Sequence, residues 1–245
     1  MKILIAIDDT DNAESKGTGF RARELASIIQ NHQLGQLIGV TRHQLFVHET
    51  IPYTSHNSSA CIAINSDEKY LREIIAVSAK YLIENAAPGS DAGLCVCPET
   101  NVMEELFDFA KRAKSEVLTM DMAKDLANKM GVFLEGYTGT KQGIIGSLAA
   151  VGLHAAGNDG RFLLTKGMRE VFGIYTAQEI LNITGVEKIK TTDNKIILNF
   201  EKILLTEWWR PVLQDKLAVL YVEPVNDNNY EYRVISKEHI KILSN

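Results

Sequence analysis

Three acidic residues lie close together near the start of the chain, in the stretch IDDTDN. Asp8, Asp9 and Asp11 follow a short apolar run, and carboxylates this crowded repel one another unless a cation, backbone amides or solvent compensates them. Mg²⁺ is one suitable partner, because it prefers oxygen ligands and often takes one or two carboxylates together with waters and substrate phosphates. The alternative is a turn at Asp11, with Asp8 and Asp9 facing water.

A threonine between two glycines follows the acidic residues. Gly17 and Gly19 allow a backbone to approach a phosphate closely, and the helix predicted from Phe20 offers unpaired N–H groups at its N-terminus. These features favour the magnesium interpretation and place Thr18 beside the metal. Thr18 is also a good N-cap residue, and the two roles are compatible.

A second glycine-rich stretch, GYTGTKQGIIGSLAAVG, occupies residues 136 to 152. It contains Gly139, Lys141 and Gly143, but its spacing matches neither a Walker A loop nor a dinucleotide-binding GxGxxG loop. Taken by themselves, the small residues favour close packing of a helix over ligand binding.

Polar residues also gather after the Ile51-Pro52-Tyr53 corner. His56 and Asn57, followed by two serines, either contact a substrate or phosphate or belong to a solvent-facing loop. The gaps between the histidines of this region do not match a helical zinc-binding pair, so a zinc site is not expected.

Composition and charge limit the classes of function. The chain has 245 residues and a net charge of −5, which argues against broad, sequence-independent binding to nucleic acid. It lacks an apolar run long enough to span a membrane and has no signal peptide, so we expect a soluble, cytoplasmic protein without membrane association. Three cysteines cannot form an even disulfide framework, and we expect buried thiols.

The predicted elements explain how the acidic residues are positioned. A strand at 2–7 ends at Asp8, and a helix follows from Phe20. Alternating strands and helices then predict an α+β fold with α/β layers, in which two lobes contain mixed sheets and flanking helices. The further elements are strands at 37–47, 60–64, 93–97 and 132–134, and helices at 68–85, 102–114 and 120–129.

The sequence changes in character after Tyr175. We therefore expect a nucleotide-binding region at 1–175 and a small β-rich C-terminal lobe at 176–245, with a helix at 177–182 and strands at 188–191, 195–200, 217–222 and 230–235. The aromatic residues Trp208, Trp209 and Tyr221 in this lobe indicate ordinary core or, as the alternative, the interface of a homo-oligomer or scaffold.

Three segments, IDDTDN, TRHQLFVHETIPYTSHNSSA and GTKQGIIGSLAAVG, occur in this order and resemble the archaeal tRNA-isoleucine agmatidine synthetase family over roughly residues 1 to 165. The resemblance implies a kinase-like domain paired with a ferredoxin-like domain. It also implies ATP and Mg²⁺ at Asp8, Asp9 and Asp11, a Thr18 that accepts or steers a phosphoryl group, and a place for the 139–146 loop in the same cleft.

The chain departs from that family in two respects. Residues 54–58 replace a Lys-Thr-Arg-Gly-Asn segment and lose two positive charges, and there is no CxxC pair for a zinc ribbon. We therefore expect a Mg²⁺- and ATP-dependent phosphotransferase or ligase-like enzyme with a small-molecule substrate rather than tRNA. Asp8 and Thr18 are the candidate catalytic residues. The alternative is a non-catalytic module that binds a nucleotide or another ligand and has a regulatory role.

Overall fold

A computed structural model describes residues 1–51, 53–54 and 56–244, and the chain divides into two compact units, Met1–Ala156 and Gly157–Asn245. The change in sequence character near Tyr175 falls inside the second unit. Pro52 of the predicted corner and Ser55 of the altered segment lie outside the described residues.

The first unit contains an antiparallel sheet in the order β5-β4-β1-β3-β2. Its strands are β1 Lys2–Asp8, β2 Gln36–Gln44, β3 Ser58–Asn65, β4 Gly93–Pro98 and β5 Phe133–Gly136. Because β1 lies at the centre of the sheet and is covered on both faces, its residues from Ile3 to Ile7 are all apolar rather than alternating, as the sequence predicts. Its last residue is Asp8.

Helices cover both faces of this sheet. They are α1 Thr18–Asn31, α2 Leu71–Asn85, α3 Glu104–Arg112, α4 Met120–Met130 and α5 Gly143–Ala156. The α5 helix packs on the face that carries Leu4 and Ala6, with α3 and α4 beside it. Residues alternate between faces along a strand, so Ile3, Ile5 and Ile7 point to the opposite face, where α1 lies.

Between α5 and the sheet lies a small buried polar cluster. The hydroxyl oxygen of Thr41 is 2.8 Å from Nε2 of His43 and 2.8 Å from Nδ1 of His154. Burial, followed by the neighbouring His43, lowers the pKa of His154 well below its usual value. His154 therefore serves as a neutral core residue that is hydrogen-bonded through Thr41.

The second unit is a mixed sheet with two short helices. Its strands follow the order β6-β10-β11-β12-β9-β7, with β8 pairing in parallel to β11. Trp209 is fully buried, donates from Nε1 to the carbonyl of Val171 and belongs to the core, as does the buried Tyr221. The elements are β6 Arg161–Leu164, β7 Gly173–Thr176, α6 Ala177–Ile183, β8 Lys188–Thr191, β9 Lys202–Leu205, β10 Val212–Gln214, β11 Leu217–Pro224, β12 Tyr232–Val234 and α7 Lys237–Leu243.

The α+β class with mixed sheets and flanking helices is confirmed, whereas the strand predicted at 195–200 is wrong. That segment makes only a single bridge, between Lys190 and Ile196, and the strand follows at Lys202–Leu205. Ile196, Leu198 and Phe200 alternate along the sequence as strand residues would, but all three are exposed.

The predicted buried thiols are confirmed, since Cys61, Cys95 and Cys97 are all free and buried. Cys61 and Cys95 flank Ala6 on the neighbouring strands, and burial raises the pKa of both thiols. Within the residues described here, none of the helices has the length and apolar character that a membrane crossing requires.

Candidate functional site

The predicted acidic loop begins where β1 ends. Asp8 is the last residue of the strand, and Asp9 adopts a left-handed backbone conformation with a φ of 49° that turns the chain away. Aspartate tolerates this conformation better than most residues that carry a Cβ atom. The following residue, Thr10, is buried, and its carbonyl accepts a hydrogen bond of 3.0 Å from the amide of Ala87.

The carboxyl group of Asp8 lies against the first turn of α5. A Cβ atom added to Gly146 would overlap Oδ2 of Asp8, and one added to Gly143 would lie 2.8 Å from the Asp8 carbonyl oxygen. Glycine at both positions therefore allows the helix to approach the end of the sheet. The close-packing interpretation of the glycine-rich stretch is confirmed at these two positions, and the same contact brings α5 to the acidic loop.

The environment of Asp8 disfavours a negative charge. The residue is only 8% exposed, and burial raises the pKa of the carboxyl to about 8, with smaller contributions from Asp9 and Asp11. Burial also raises the pKa of Asp9 to about 6, assisted by the charges of Asp91 and Asp11. The neighbouring charges that raise the pKa values of Asp8 and Asp9 are thus carboxylates. A cation that binds beside them would therefore stabilise their ionised forms.

Asp91 is a fourth acidic residue at the site, and the sequence analysis missed it. It precedes β4, whose Gly93 pairs with Asp8 of β1. Its carboxylate accepts hydrogen bonds from the backbone amide and, at 2.8 Å, from the hydroxyl of Thr140, while its carbonyl accepts one of 2.9 Å from the amide of Gly143. Asp91 therefore bonds to the glycine-rich loop and also contacts Asp9 of the acidic loop, so it connects the two loops. Asp91 comes just before the strand predicted at 93–97, and this position is the signal that could have identified it from the sequence.

Thr18 is the first residue of α1, and Gly17 occupies the N-cap position. The Thr18 hydroxyl donates to Oδ1 of Asp11 at 2.7 Å and accepts from the hydroxyl of Thr10 at 3.1 Å. The same Asp11 oxygen accepts from the Thr18 amide at 3.1 Å. Asp11 thus satisfies an amide at the start of the helix, in place of the N-cap role considered for Thr18, and fixes the direction of the Thr18 hydroxyl.

A cavity of about 120 Å³ brings most of the predicted site residues together. Its lining combines acidic and polar residues with apolar ones. Among the described residues, the lining contains no lysine or arginine. The acidic and polar lining residues are Asp8, Asp9, Asp11, Thr18, Thr50, Thr54, His56, Asn57, Ser58, Glu116 and Gln142, and the apolar ones include Leu45, Ile51, Val117, Leu118 and Ile145; Gly143 and Gly146 also line the cavity.

His56 and Asn57 reach the cavity by different means. His56 lies in an exposed position at its edge. Asn57 lines the cavity but uses its side-chain amide to donate a 2.6 Å hydrogen bond to the carbonyl of Phe46, while its own carbonyl accepts from the Leu45 amide. The main visible role of Asn57 is therefore to hold the β2–β3 connection in place.

The remaining predicted glycines and Lys141 divide between two regions. Gly17 borders the carboxylate of Asp11, and Gly19 belongs to the first turn of α1. Gly139 and Lys141 do not line the cavity: a Cβ at Gly139 would overlap Asp91, and Nζ of Lys141 lies 3.6 Å from Glu135 in a separate cleft. The left-handed backbone at Lys141, with a φ of 68°, carries its side chain away from the aspartates.

A preformed cage of three protein ligands does not exist at this site. Among the residues that the structure describes, no group of three or more His, Cys, Asp or Glu side chains is placed to hold a metal ion. The reason is visible in the neighbours of each carboxylate, because Asp8 packs on α5 whereas Asp11 bonds to the start of α1. Any ion bound here must take part of its coordination from a ligand or from water.

Comparison with known proteins gives results for part of the chain. No family model matches it. An uncharacterized protein of Methanocaldococcus jannaschii is 26% identical over 158 residues, which are 62% of this chain and 50% of the relative. The structure of apo TiaS, a tRNA agmatidine synthetase, matches with a TM-score of 0.53 and 27% identity over 62% of this chain. The chain contains a TiaS-like domain.

Two further solved structures agree with this result. A tRNA fluorescent labeling enzyme matches with a TM-score of 0.55 and 29% identity, and the complex of TiaS with its tRNA and ATP with 0.54 and 28%. This chain spans about half of the curated relative and 36% of each of these two enzyme chains. The resemblance predicted from the three segments is confirmed, and it concerns a partial, N-terminal TiaS-like region.

The TiaS complexes contain tRNA together with ATP, or with AMPCPP and agmatine. The expectation that tRNA is not a partner rests on the two positive charges lost at residues 54–58, the missing CxxC pairs and the negative net charge, and the tRNA-bound neighbours do not support it.

Proposed function

We propose that this protein is a Mg²⁺- and ATP-dependent enzyme that transfers a phosphoryl group through the cavity at the end of β1. The observation that carries the proposal is the Thr18 hydroxyl, which lines the cavity and donates to Asp11 at 2.7 Å. A nucleophile in hydrogen-bond contact with a base is the arrangement that hydroxyl activation requires. The similarity to TiaS, an ATP-using enzyme, supports the choice of nucleotide.

Asp8 and Asp9 fit a divalent cation. Both carboxyls have raised pKa values, and the charges that raise them are negative, so a cation would relieve the repulsion that the fold imposes. Two carboxylates suit Mg²⁺, which commonly completes its coordination with phosphate oxygens and water. Bound there, Mg²⁺ would neutralise charge on the phosphate oxygens. Asp11 is less available, because one of its oxygens already accepts two hydrogen bonds from Thr18.

The proposed chemical step uses Thr18 as the acceptor. Its Oγ1 attacks the γ-phosphorus of ATP while the hydroxyl proton passes to the carboxylate of Asp11. The new bond joins Oγ1 to phosphorus, the bond from phosphorus to the β,γ-bridging oxygen breaks, and ADP leaves with that oxygen. The amide and the hydroxyl of Thr10 both donate to Oγ1 of Thr18, at 3.3 Å and 3.1 Å, so the Thr10 hydroxyl must turn away to free a lone pair of Oγ1 for the attack.

The final acceptor is proposed to be a small molecule. The cavity of about 120 Å³ has room for a compact group, and its apolar lining residues can cover a hydrocarbon or ring portion of a ligand. A polynucleotide backbone needs a basic surface, which neither the described cavity lining nor the net charge of −5 provides.

The experiment is incubation with γ-³²P-labelled ATP and Mg²⁺, followed by peptide mapping of the labelled protein. We expect label on the peptide that contains Thr18, full loss in Thr18→Val, and partial retention in Thr18→Ser. Thr100→Val changes an exposed, distant threonine and is the matched control. Tight ATP binding without label or ADP release would contradict the proposal and indicate the non-catalytic binding module instead.

A further inference from the structure

Arg42 is a charged residue near the cavity that the proposed function does not yet use. It lies on β2 and pairs with Ala60 of β3, on the face of the sheet that α1 covers. Its side chain is half-buried, and burial lowers the pKa of the guanidinium. The Nε group donates a 2.9 Å hydrogen bond to the hydroxyl of Ser58.

The surroundings of Arg42 differ from those of three arginines that are paired with acids. Arg21, Arg112 and Arg233 each form an ion pair with a glutamate, at 3.0 Å, 2.8 Å and 2.7 Å respectively. Within the described part of the chain, Arg42 has no carboxylate within ion-pair distance, and burial is the named cause of its shifted pKa. A guanidinium that loses water without gaining an acid is destabilised, unless a ligand supplies the anion.

Ser58 connects this arginine to the cavity. Its side chain accepts the bond from Arg42, and the residue lines the cavity together with Thr18 and Asp8. The described lining itself contains no lysine or arginine, and the Arg42 guanidinium lies one hydrogen bond away from it, on the lining residue Ser58. The Nη groups offer further N–H donors in the planar geometry that suits a phosphate.

We propose that Arg42 binds a phosphate group of the nucleotide and that Ser58 holds the guanidinium in position. This inference rests on the proposed function and adds a second anchor to it. Asp8 lies against α5 and lines the cavity, and so does Ser58, which accepts the hydrogen bond from Arg42, so a polyphosphate that extends from Asp8 to Ser58 comes next to the guanidinium. Arg42 is a binding residue, and the chemistry at Thr18 does not depend on it for proton transfer.

The test is calorimetric titration of ATP and of adenosine, with Mg²⁺ present, into the full chain and its variants. We expect Arg42→Gln to weaken ATP binding at least tenfold and to leave adenosine binding unchanged, because adenosine lacks phosphate. Arg42→Lys keeps the charge without the planar fork and should fall between. Arg72→Gln removes an exposed arginine of α2 and is the charge-matched control, with wild-type affinity expected.

A second variant protects the test against misfolding. Ser58→Ala keeps the charge and removes the anchor of the guanidinium, and it should weaken ATP binding severalfold while leaving the melting temperature close to wild type. Unchanged ATP affinity in Arg42→Gln, or an equal loss for ATP and adenosine, overturns the inference while the proposed function stands. If the wild type binds no ATP, the proposed function fails, and titration with tripolyphosphate then tests Arg42 separately. Binding of tripolyphosphate by the wild type that is lost in Arg42→Gln supports phosphate binding by Arg42. Absence of tripolyphosphate binding by the wild type overturns it.

Discussion

Replacement of Asp8 by asparagine should stabilise the protein when no cation or nucleotide is present. The carboxyl is buried beside other acids, so its charged form is disfavoured in the folded state. A raised pKa means that the folded protein binds more protons than the unfolded chain between the two pKa values. The free energy of unfolding of the wild type therefore falls as the pH rises through that window, and Asp8→Asn removes this contribution.

The size of the effect follows from the two pKa values. A shift from 3.8 to about 8 corresponds to a destabilisation of at most about 5 kcal/mol at pH 8 and about 2 kcal/mol at pH 5, at about 1.36 kcal/mol per pKa unit. The advantage of Asp8→Asn should thus grow by up to about 3 kcal/mol from pH 5 to pH 8. Even about 1 kcal/mol would raise the melting temperature by roughly 2–4 °C.

The assay is thermal or urea unfolding at several pH values in the presence of a chelator. Asp108→Asn changes an exposed acid of α3 and is the control, for which we expect a curve parallel to that of the wild type. The reasoning is refuted if the stability curves of Asp8→Asn and wild type run parallel from pH 5 to pH 8. A more stable variant that has lost ligand binding would place Asp8 in the site without any ambiguity from misfolding.

Three other perturbations test separate contacts. Gly146→Ala should abolish nucleotide binding, since its Cβ would displace the Asp8 carboxyl, whereas Gly152→Ala, which crowds α3 instead, should lower the melting temperature but keep binding in calorimetry. The wild type should lose stability as the pH falls below about 6.5, because His154 has a lowered pKa in the folded state and takes up a proton on unfolding. His154→Asn should lose less stability over this range, and melting temperatures that fall equally with pH in both proteins would contradict this. Asp91→Ala should speed hydrogen exchange at residues 138–142 severalfold, and unchanged exchange would show that the loop does not need this carboxylate.

The sequence predicted that Asp8, Asp9, Asp11 and Thr18 lie together, and they line one cavity, because the signals for their placement are local. The uniformly apolar β1, the acids directly after it and the glycine-flanked Thr18 all lie near the start of the chain, and each has a direct structural consequence. The contacts that join distant segments were not predictable in this way. Asp91 and Arg42 reach the site through strand pairing, which brings together positions far apart in the chain.

The errors have similar physical causes. Lys141 lies inside the glycine-rich stretch that was assigned to the nucleotide cleft by family resemblance, but it has a left-handed backbone and its ammonium group lies 3.6 Å from Glu135, outside the cavity. The strand predicted at 195–200 had the right alternation, yet pairing energy favoured Lys202–Leu205, whose Ile203 and Leu205 are buried in the core. The alternation of apolar residues in a sequence shows which residues could face a core, whereas tertiary packing determines which of them are buried.

The most direct test of the central claim is calorimetric titration of ATP into the wild type with and without Mg²⁺, repeated on Asp8→Asn. We expect binding that depends on Mg²⁺ in the wild type and is lost in the folded variant, because the buried carboxyls need a cation to accept a polyphosphate. ATP binding of equal affinity in chelator, or undiminished by Asp8→Asn, would contradict it.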